Sequence, residues 1–242
     1  MFNFFNIYQR IKKHFLVKED LKTRVNPKLV KKITADPDFP FLVSFGRTGS
    51  HWLRMMMELY TGKPSMRRIF YYTDAKEFTC CHTHDSDLKT TRKNVIYLYR
   101  NPVGTVFSKI NYFKQDLDSE KVIIETLNRY IKHLTKWLLE ENFTTKKTII
   151  SYDGMKNDIN NEFKKICDHL SYEFDAEKLK NVTKQISKEK LKEMTNYNPQ
   201  IVHIESEYEL KRKKFYKNYK DFIYRHLFKK DDKFKNFFNY ND

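Results

Sequence analysis

The chain has 242 residues, 40% of them hydrophobic, which is enough for one domain with a buried core. No run reaches the roughly 18 apolar residues of a membrane-spanning helix, and three cysteines, with Cys80 and Cys81 adjacent, make no disulfide framework and fit a reducing, cytoplasmic compartment. A net charge of +16 favours anionic partners (nucleotides, nucleic acid, acidic glycans or a membrane surface) without choosing among them.

Residues 1–38 form a basic, amphipathic segment in which Phe4, Tyr8, Ile11 and Phe15 recur at helical spacing. It reads as a helix packed on the domain; a helix lying on an anionic membrane surface is the alternative. Residues 1–16 lack the apolar run and small-residue cleavage site of a secretory signal. Pro40 introduces a first strand at 41–45. Gly46 to Gly49 turn the chain, and a helix starts near Ser50, with Trp52, Met55, Met56 and Leu59 on one face. The Met55-Met56-Met57 run reads as core packing. Gly62 and Pro64 stop the helix.

A second strand is expected over 78–83, leading into His84. The third, 94–99, is almost wholly apolar or aromatic, as suits a strand covered on both faces. Asn101 caps the next helix, with Pro102 at its first position. A long amphipathic helix is expected over 119–140, with Ile123, Leu127, Ile131, Leu134 and Leu138 inward. Residues 147–152 read as a fourth strand, and helices follow at 157–170, 176–185 and 188–195. The division is thus a basic segment 1–38, an α/β core 39–204 and a basic, aromatic segment 205–242 packed on the same domain. Strand alternating with helix implies an α/β fold, a parallel sheet flanked by helices on both faces. In such sheets ligands bind beyond the carboxyl ends of the strands. Arg47, His84 and Arg100 each lie just past a predicted strand and are expected to converge there.

Two segments look built for anions. Gly46-Arg47-Thr48-Gly49-Ser50-His51 joins strand to helix, where backbone N–H groups and a cation can hold a phosphate. It departs from the G-x-x-x-x-G-K-[ST] pattern of nucleotide triphosphatases, and no acidic strand end stands beside it for magnesium. It reads as a phosphate cradle without a metal site. The second segment is Arg100-Asn101-Pro102, with Ser108 on the helix that follows. Two such sites in one small domain suggest a nucleotide with phosphates at both ends.

Together these segments resemble the PAPS-dependent sulfotransferases, a P-loop-like family that takes sulfonate from 3′-phosphoadenosine 5′-phosphosulfate (PAPS). Gly46 to Leu53 resembles the 5′-phosphosulfate loop (P-K-S-G-T-T-W-L), and Arg100-Asn101-Pro102 with Ser108 resembles the 3′-phosphate motif. Thr83-His84 falls where the family has a Thr-His pair. Ser151 to Asn157 resembles Y-E-D-M-K-E-N, with Phe163-Lys164-Lys165-Ile166 fitting the helix after it. The resemblance implies a donor cosubstrate, PAPS, and no metal. It implies His84 as general base and Arg47, in place of the family's Lys, at the bridging oxygen between sulfate and phosphate. Thr48, Gly49, Ser50 and His51 would hold the 5′-phosphate, Trp52 would lie near the adenine, and Arg100 and Ser108 would hold the 3′-phosphate. His82 stands where many members have a Lys. The family's R-K-G-x-x-G closing loop has no Gly-bearing counterpart; Lys211-Arg212-Lys213-Lys214, with Arg212 as nucleotide contact, is the replacement. The acceptor is a hydroxyl or amine of a small molecule, lipid or glycan.

Two rival readings stand beside this one. Cys80, His82 and His84 alternate and could share a strand face as metal ligands, with Asp85 or Asp87 completing the set. The tail between 211 and 235 interleaves cations with Phe215, Tyr216, Tyr219, Phe222 and Tyr224, as in nucleic-acid-binding surfaces, although aromatics at helical spacing are more often core.

Overall fold

The computed structural model describes residues 26–66, 70–72, 75–142, 144–187, 206–238 and 240. After α1 (Pro27–Ile33), the chain forms β1 (Phe41–Ser44), α2 (Ser50–Thr61), β2 (Cys81–Thr83), β3 (Asn94–Tyr99), α3 (Pro102–Tyr112) and α4 (Glu120–Leu134). It continues through β4 (Lys146–Ser151), α5 (Tyr152–Asn157), α6 (Ile159–Leu170), α7 (Ala176–Gln185) and α8 (Ser206–Lys230), and a 3₁₀ turn at Asp232–Asn236 follows. The expected amphipathic N-terminal helix lies mostly, and the expected helix at 188–195 wholly, outside the described residues.

The four strands are parallel, in the order β2-β1-β3-β4. Their side chains alternate between two cores. Phe41, Val43, Val95, Tyr97 and Tyr99 pack against α3, α4 and α8 through Val106, Phe107, Ile123, Leu127, Phe215 and Leu227. Leu42, Ile96, Leu98 and Ile150 pack against α2, α6 and α7 through Leu53, Met56, Phe163, Ile166 and Leu179. Met55, Met56 and Met57 are all buried. Helices therefore cover both faces. The chain leaves β1 towards β2 and returns to β3 on the other side, so the order reverses between β1 and β3. That is the crevice where ligands of doubly wound sheets sit.

Three elements differ from the sequence expectation. The strand expected from residue 78 begins at Cys81, because Thr79 N–H donates to Pro64 O (2.9 Å) and Met66 N–H to Cys80 O (2.8 Å), pairing that stretch with 64–66 instead of β1. The helix expected over 119–140 ends as an α-helix at Leu134 and widens into a π turn over Thr135–Leu139, with Glu140 N–H donating to Thr135 O. That turn carries Trp137 onto the Tyr97 ring and Lys136 to the carbonyls of Leu88 and Thr90. The helix expected at 157–170 is α6, starting at Ile159 with Asp158 as its cap, whose side chain accepts from Asn161 N–H, and a short helix that was not expected, α5, comes directly before it.

Candidate active site

The β1–α2 connection is a tight anion-type loop. Arg47 has φ 77° and Gly49 φ 95°, while Gly46 and Thr48 stay negative. Such sign alternation gathers successive N–H groups into one concavity. The α2 N-terminus follows at once, with Gly49 as its cap residue and no side-chain cap bond. A Cβ on Gly49 would overlap the Tyr152 ring, so position 49 requires glycine twice over. The Thr48 hydroxyl donates to Phe45 O at 2.8 Å and braces the turn from inside. Ser50 is buried; His51 and Trp52 meet Phe70 and Tyr152 edge-on.

Arg47 is non-glycine in the left-handed region, a conformation kept where surrounding structure enforces it. Its Nε–H donates to Ser108 Oγ at 3.2 Å, and its guanidinium lies 4.5 Å over the Tyr112 ring. Burial pushes its pKa down, partly opposed by Tyr208 and Tyr112.

Asn101 caps α3 as expected, its Oδ1 accepting from Gly104 N–H at 2.7 Å. Asp153 at the start of α5 holds the same turn, accepting from Asn101 N–H (2.7 Å) and Nδ2 (3.1 Å). The Tyr130 hydroxyl donates to Arg100 O (2.7 Å) and accepts from Arg100 N–H (3.0 Å). The Arg100 backbone is therefore pinned, while its guanidinium reaches back to Arg47 O (3.4 Å) and lies 4.6 Å over the Tyr152 ring. Arg100 Nε is buried with no hydrogen-bond partner among the described residues. A buried charged donor left unmatched calls for an acceptor beyond the described residues.

The Lys156 Nζ is 5.2 Å from the centre of the same Tyr152 ring, and burial, then Arg100 and Arg212, push its pKa down. Arg212 comes from α8, a helix and not a loop, with its guanidinium 5.2 Å over Tyr216. Tyr216 in turn donates to Asn101 Oδ1 at 3.0 Å. Arg100, Lys156 and Arg212 thus face one region, and sequence reasoning missed Lys156. Its signal was present: it sits in the stretch that follows the fourth strand.

At the end of β2, His84 Nδ1 lies 2.7 Å from Ser44 O. A carbonyl only accepts, so Nδ1 carries the proton and the neutral ring holds its lone pair on Nε2. The Ser44 hydroxyl is also 3.1 Å from His82 Nε2. His133 Nε2 donates to His84 O at 2.8 Å, and its Nδ1 accepts from the Tyr97 hydroxyl at 2.9 Å. Burial holds His133 down to about 4, so it stays neutral. Next door, burial would raise the Asp85 pKa, but hydrogen bonds from Arg92 and Thr83 outweigh it and hold the carboxylate low.

The rival constellations come apart here. Cys80 is fully buried in the α2 core, and burial pushes its thiol up to about 12, against thiolate ligation. Among the described residues no group of three or more His, Cys, Asp or Glu could hold a metal ion. The aromatic tail faces inward: Phe215 and Tyr224 are buried in the α3 core, and Tyr216, Tyr219 and Phe222 pack against it. Those rings take part in core packing. No described helix is long and apolar enough to cross a membrane.

The sulfotransferase domain, as a protein family, matches residues 75–239 of this chain. The chain belongs to the sulfotransferase family. The match includes His84, Arg100 and Ser108 and starts after the 46–51 loop. No curated protein matches it in sequence. Among solved structures, this sulfotransferase is similar to mouse sulfotransferase SULT7A1 complexed with PAP, with a TM-score of 0.52 at 15% identity, covering 82% of this chain and 94% of that one. That likeness is one of fold. Retinol dehydratase is similar at lower values: with androsterone and PAP, TM-score 0.48, 14% identity, 75% and 80% covered; with retinol and PAP, 0.49, 13%, 79% and 85%. The enzyme is therefore an α/β transferase of sulfonate.

Proposed function

We propose that this sulfotransferase takes its sulfonate from PAPS, releases adenosine 3′,5′-bisphosphate (PAP), and uses His84 as general base toward a hydroxyl or amine acceptor. The observation that carries the donor is the buried Arg100 Nε, which has no hydrogen-bond partner among the described residues, beside Arg47 at the point where strand order reverses. The PAP in the similar mouse structure is consistent with a donor phosphorylated at both ends.

In this reading the backbone N–H groups of Thr48, Gly49, Ser50 and His51 and the α2 N-terminus receive the 5′-phosphate. The Thr48 hydroxyl, already donating to Phe45 O, contributes by bracing the loop. Trp52 and the Tyr152 ring lie on the adenosine side. Arg100, Lys156 and Arg212 surround the 3′-phosphate, joined by Ser108. Arg47 serves the bridging oxygen, where negative charge builds as the bond to sulfur breaks; a cation fixed there stabilises the transition state more than the ground state.

His84 Nε2 takes the acceptor's proton while the acceptor oxygen or nitrogen forms its bond to sulfur. The bond from sulfur to the bridging oxygen breaks in line, and its electron pair leaves on the 5′-phosphate. The bond from His84 Nδ1 to Ser44 O selects the tautomer that this step needs.

A thermal-shift titration tests the donor assignment. PAP should raise the melting temperature at concentrations where AMP and ATP do not. Equal shifts from all three nucleotides would show that the second phosphate pocket is not used.

A further inference from the structure

Asp85 directly follows His84 and has φ 36°, in the left-handed region. Few non-glycine residues adopt that conformation, and Asp does so by bonding locally. It persists where the surrounding structure over-determines it. The burial of the two residues differs sharply: His84 is exposed, whereas Asp85 is buried.

The Asp85 carboxylate is committed within the chain. The Thr83 hydroxyl donates to Asp85 Oδ1 at 2.7 Å and accepts from Asp85 N–H at 3.2 Å. The residues on either side of His84 are therefore bonded to each other. Arg92 adds a two-pronged pair, Nε to Oδ2 at 2.8 Å and Nη2 to Oδ1 at 2.9 Å. Such a planar match fixes direction as well as charge. The side chains of Asp85 and Arg92 are 4% and 19% exposed, so salt screens the pair little.

The turn is tied down on both sides. Thr83 lies in register with Val43 of β1, and the Arg92 guanidinium lies 3.8 Å over the ring of Phe41, the first residue of that strand. Between Asp85 and Arg92 the chain is held by Lys136, whose Nζ donates to Leu88 O at 2.7 Å and to Thr90 O. His133 Nε2 holds His84 O. His84 thus leaves β2 through a turn whose entry, carbonyl and exit are each fixed, and its ring rests on Ser44 O. A ring free to rotate would present Nε2 to an acceptor only part of the time, and a fixed one is already oriented for proton transfer.

We propose that the Asp85–Arg92 pair positions the general base: by holding the left-handed turn after His84, it keeps the ring on Ser44 O with Nε2 presented to the acceptor. The proposal rests on the reading of His84 as base. Asp85 and Arg92 are positioning residues, with no part in the proton transfer itself.

The test reads the ring directly and needs no acceptor. The full chain carrying isotope-labelled histidine gives long-range proton–nitrogen spectra in which the two tautomers of a neutral imidazole are distinct. The signals lost in His84→Gln assign His84. In the parent protein, at a pH where the ring is neutral, His84 should show one tautomer, with the proton on Nδ1. Asp85→Gly keeps access to the left-handed turn but removes the carboxylate, and Arg92→Gln removes the pair from the other side. Each should replace the single state by an exchanging mixture, while His169 and His226, bonded elsewhere to Thr148 and Asn128, keep their parent signals. Asp85→Asn tolerates the turn and keeps an oxygen for Thr83, so it should retain more of the Nδ1 tautomer than Asp85→Gly.

A mixture in the parent, or a single tautomer surviving in both Asp85→Gly and Arg92→Gln, overturns the proposal. So does a mixture that appears only together with changes at His169 and His226, since the pair would then hold the domain and not the base. Should one variant fail to fold, the other and Asp85→Asn decide. Turnover of His84→Ala judges the base reading separately: an active variant removes that role whatever the tautomer does.

Discussion

Arg47 Nε donates to Ser108 Oγ at 3.2 Å, linking two segments 61 residues apart. One belongs to the loop after β1 and the other to the helix after β3, so a single hydrogen bond spans the two anion segments. Arg100 Nη1 donates to Arg47 O in the same region.

The first prediction concerns this pair. Removing a charge-assisted donor to phosphate costs about 1.5–3 kcal/mol. Arg100→Ala should therefore weaken PAP binding by at least about tenfold. Ser108→Ala should weaken it less, because a neutral hydroxyl is lost. Calorimetry on both variants checks the ranking; equal effects, or none for Arg100→Ala, would remove the 3′-phosphate from this place.

His84→Ala separates chemistry from donor binding. General-base catalysis contributes about a hundred- to ten-thousand-fold. Turnover should fall by that factor while PAP affinity stays as in the parent protein. An active variant would strip His84 of its role, and lost PAP affinity would mean that the ring also supports the donor site.

Gly49 carries both a backbone and a steric requirement. Gly49→Ala places a side chain at φ 95° and against the Tyr152 ring. The left-handed conformation alone costs about 1–2 kcal/mol, and the overlap adds to that. The urea midpoint should drop and PAP binding should weaken. Adding Tyr152→Ala should recover part of the stability, since it removes the overlap and leaves the φ strain. Full recovery would mean that only the ring matters.

His133 sets an acid limit on stability. Its ordinary pKa of 6.5 is held down to about 4 by burial, so the unfolded chain binds this proton first as pH falls. The unfolded state gains protons between 6.5 and about 4, and folding stability falls across that window by about 3 kcal/mol; above 6.5 this loss is absent. His133→Leu should flatten that limb of a melting-temperature profile, even though its baseline is lower for want of the bonds to Tyr97 and His84. An unchanged acid limb would place the titration elsewhere.

Much of this enzyme was legible before any coordinates. Asn101 and Pro102 announce the start of α3 because a cap and a fixed φ act locally, and the apolar run 94–99 announces a doubly covered strand because both its faces must be buried. Arg47, His84 and Arg100 could be placed at one crevice because parallel strands share their carboxyl ends. Folding alone decided what depends on partners distant in sequence. Lys156 comes to the region of Arg100 because one ring, Tyr152, lies beneath both cations, and no local pattern encodes that. Tertiary hydrogen bonding also chose the His84 tautomer, through Ser44 O, and redirected residues 79–80 away from the sheet. Local propensity and periodicity are written in neighbouring residues, whereas the environment of a charge is made by whichever elements the core brings against it.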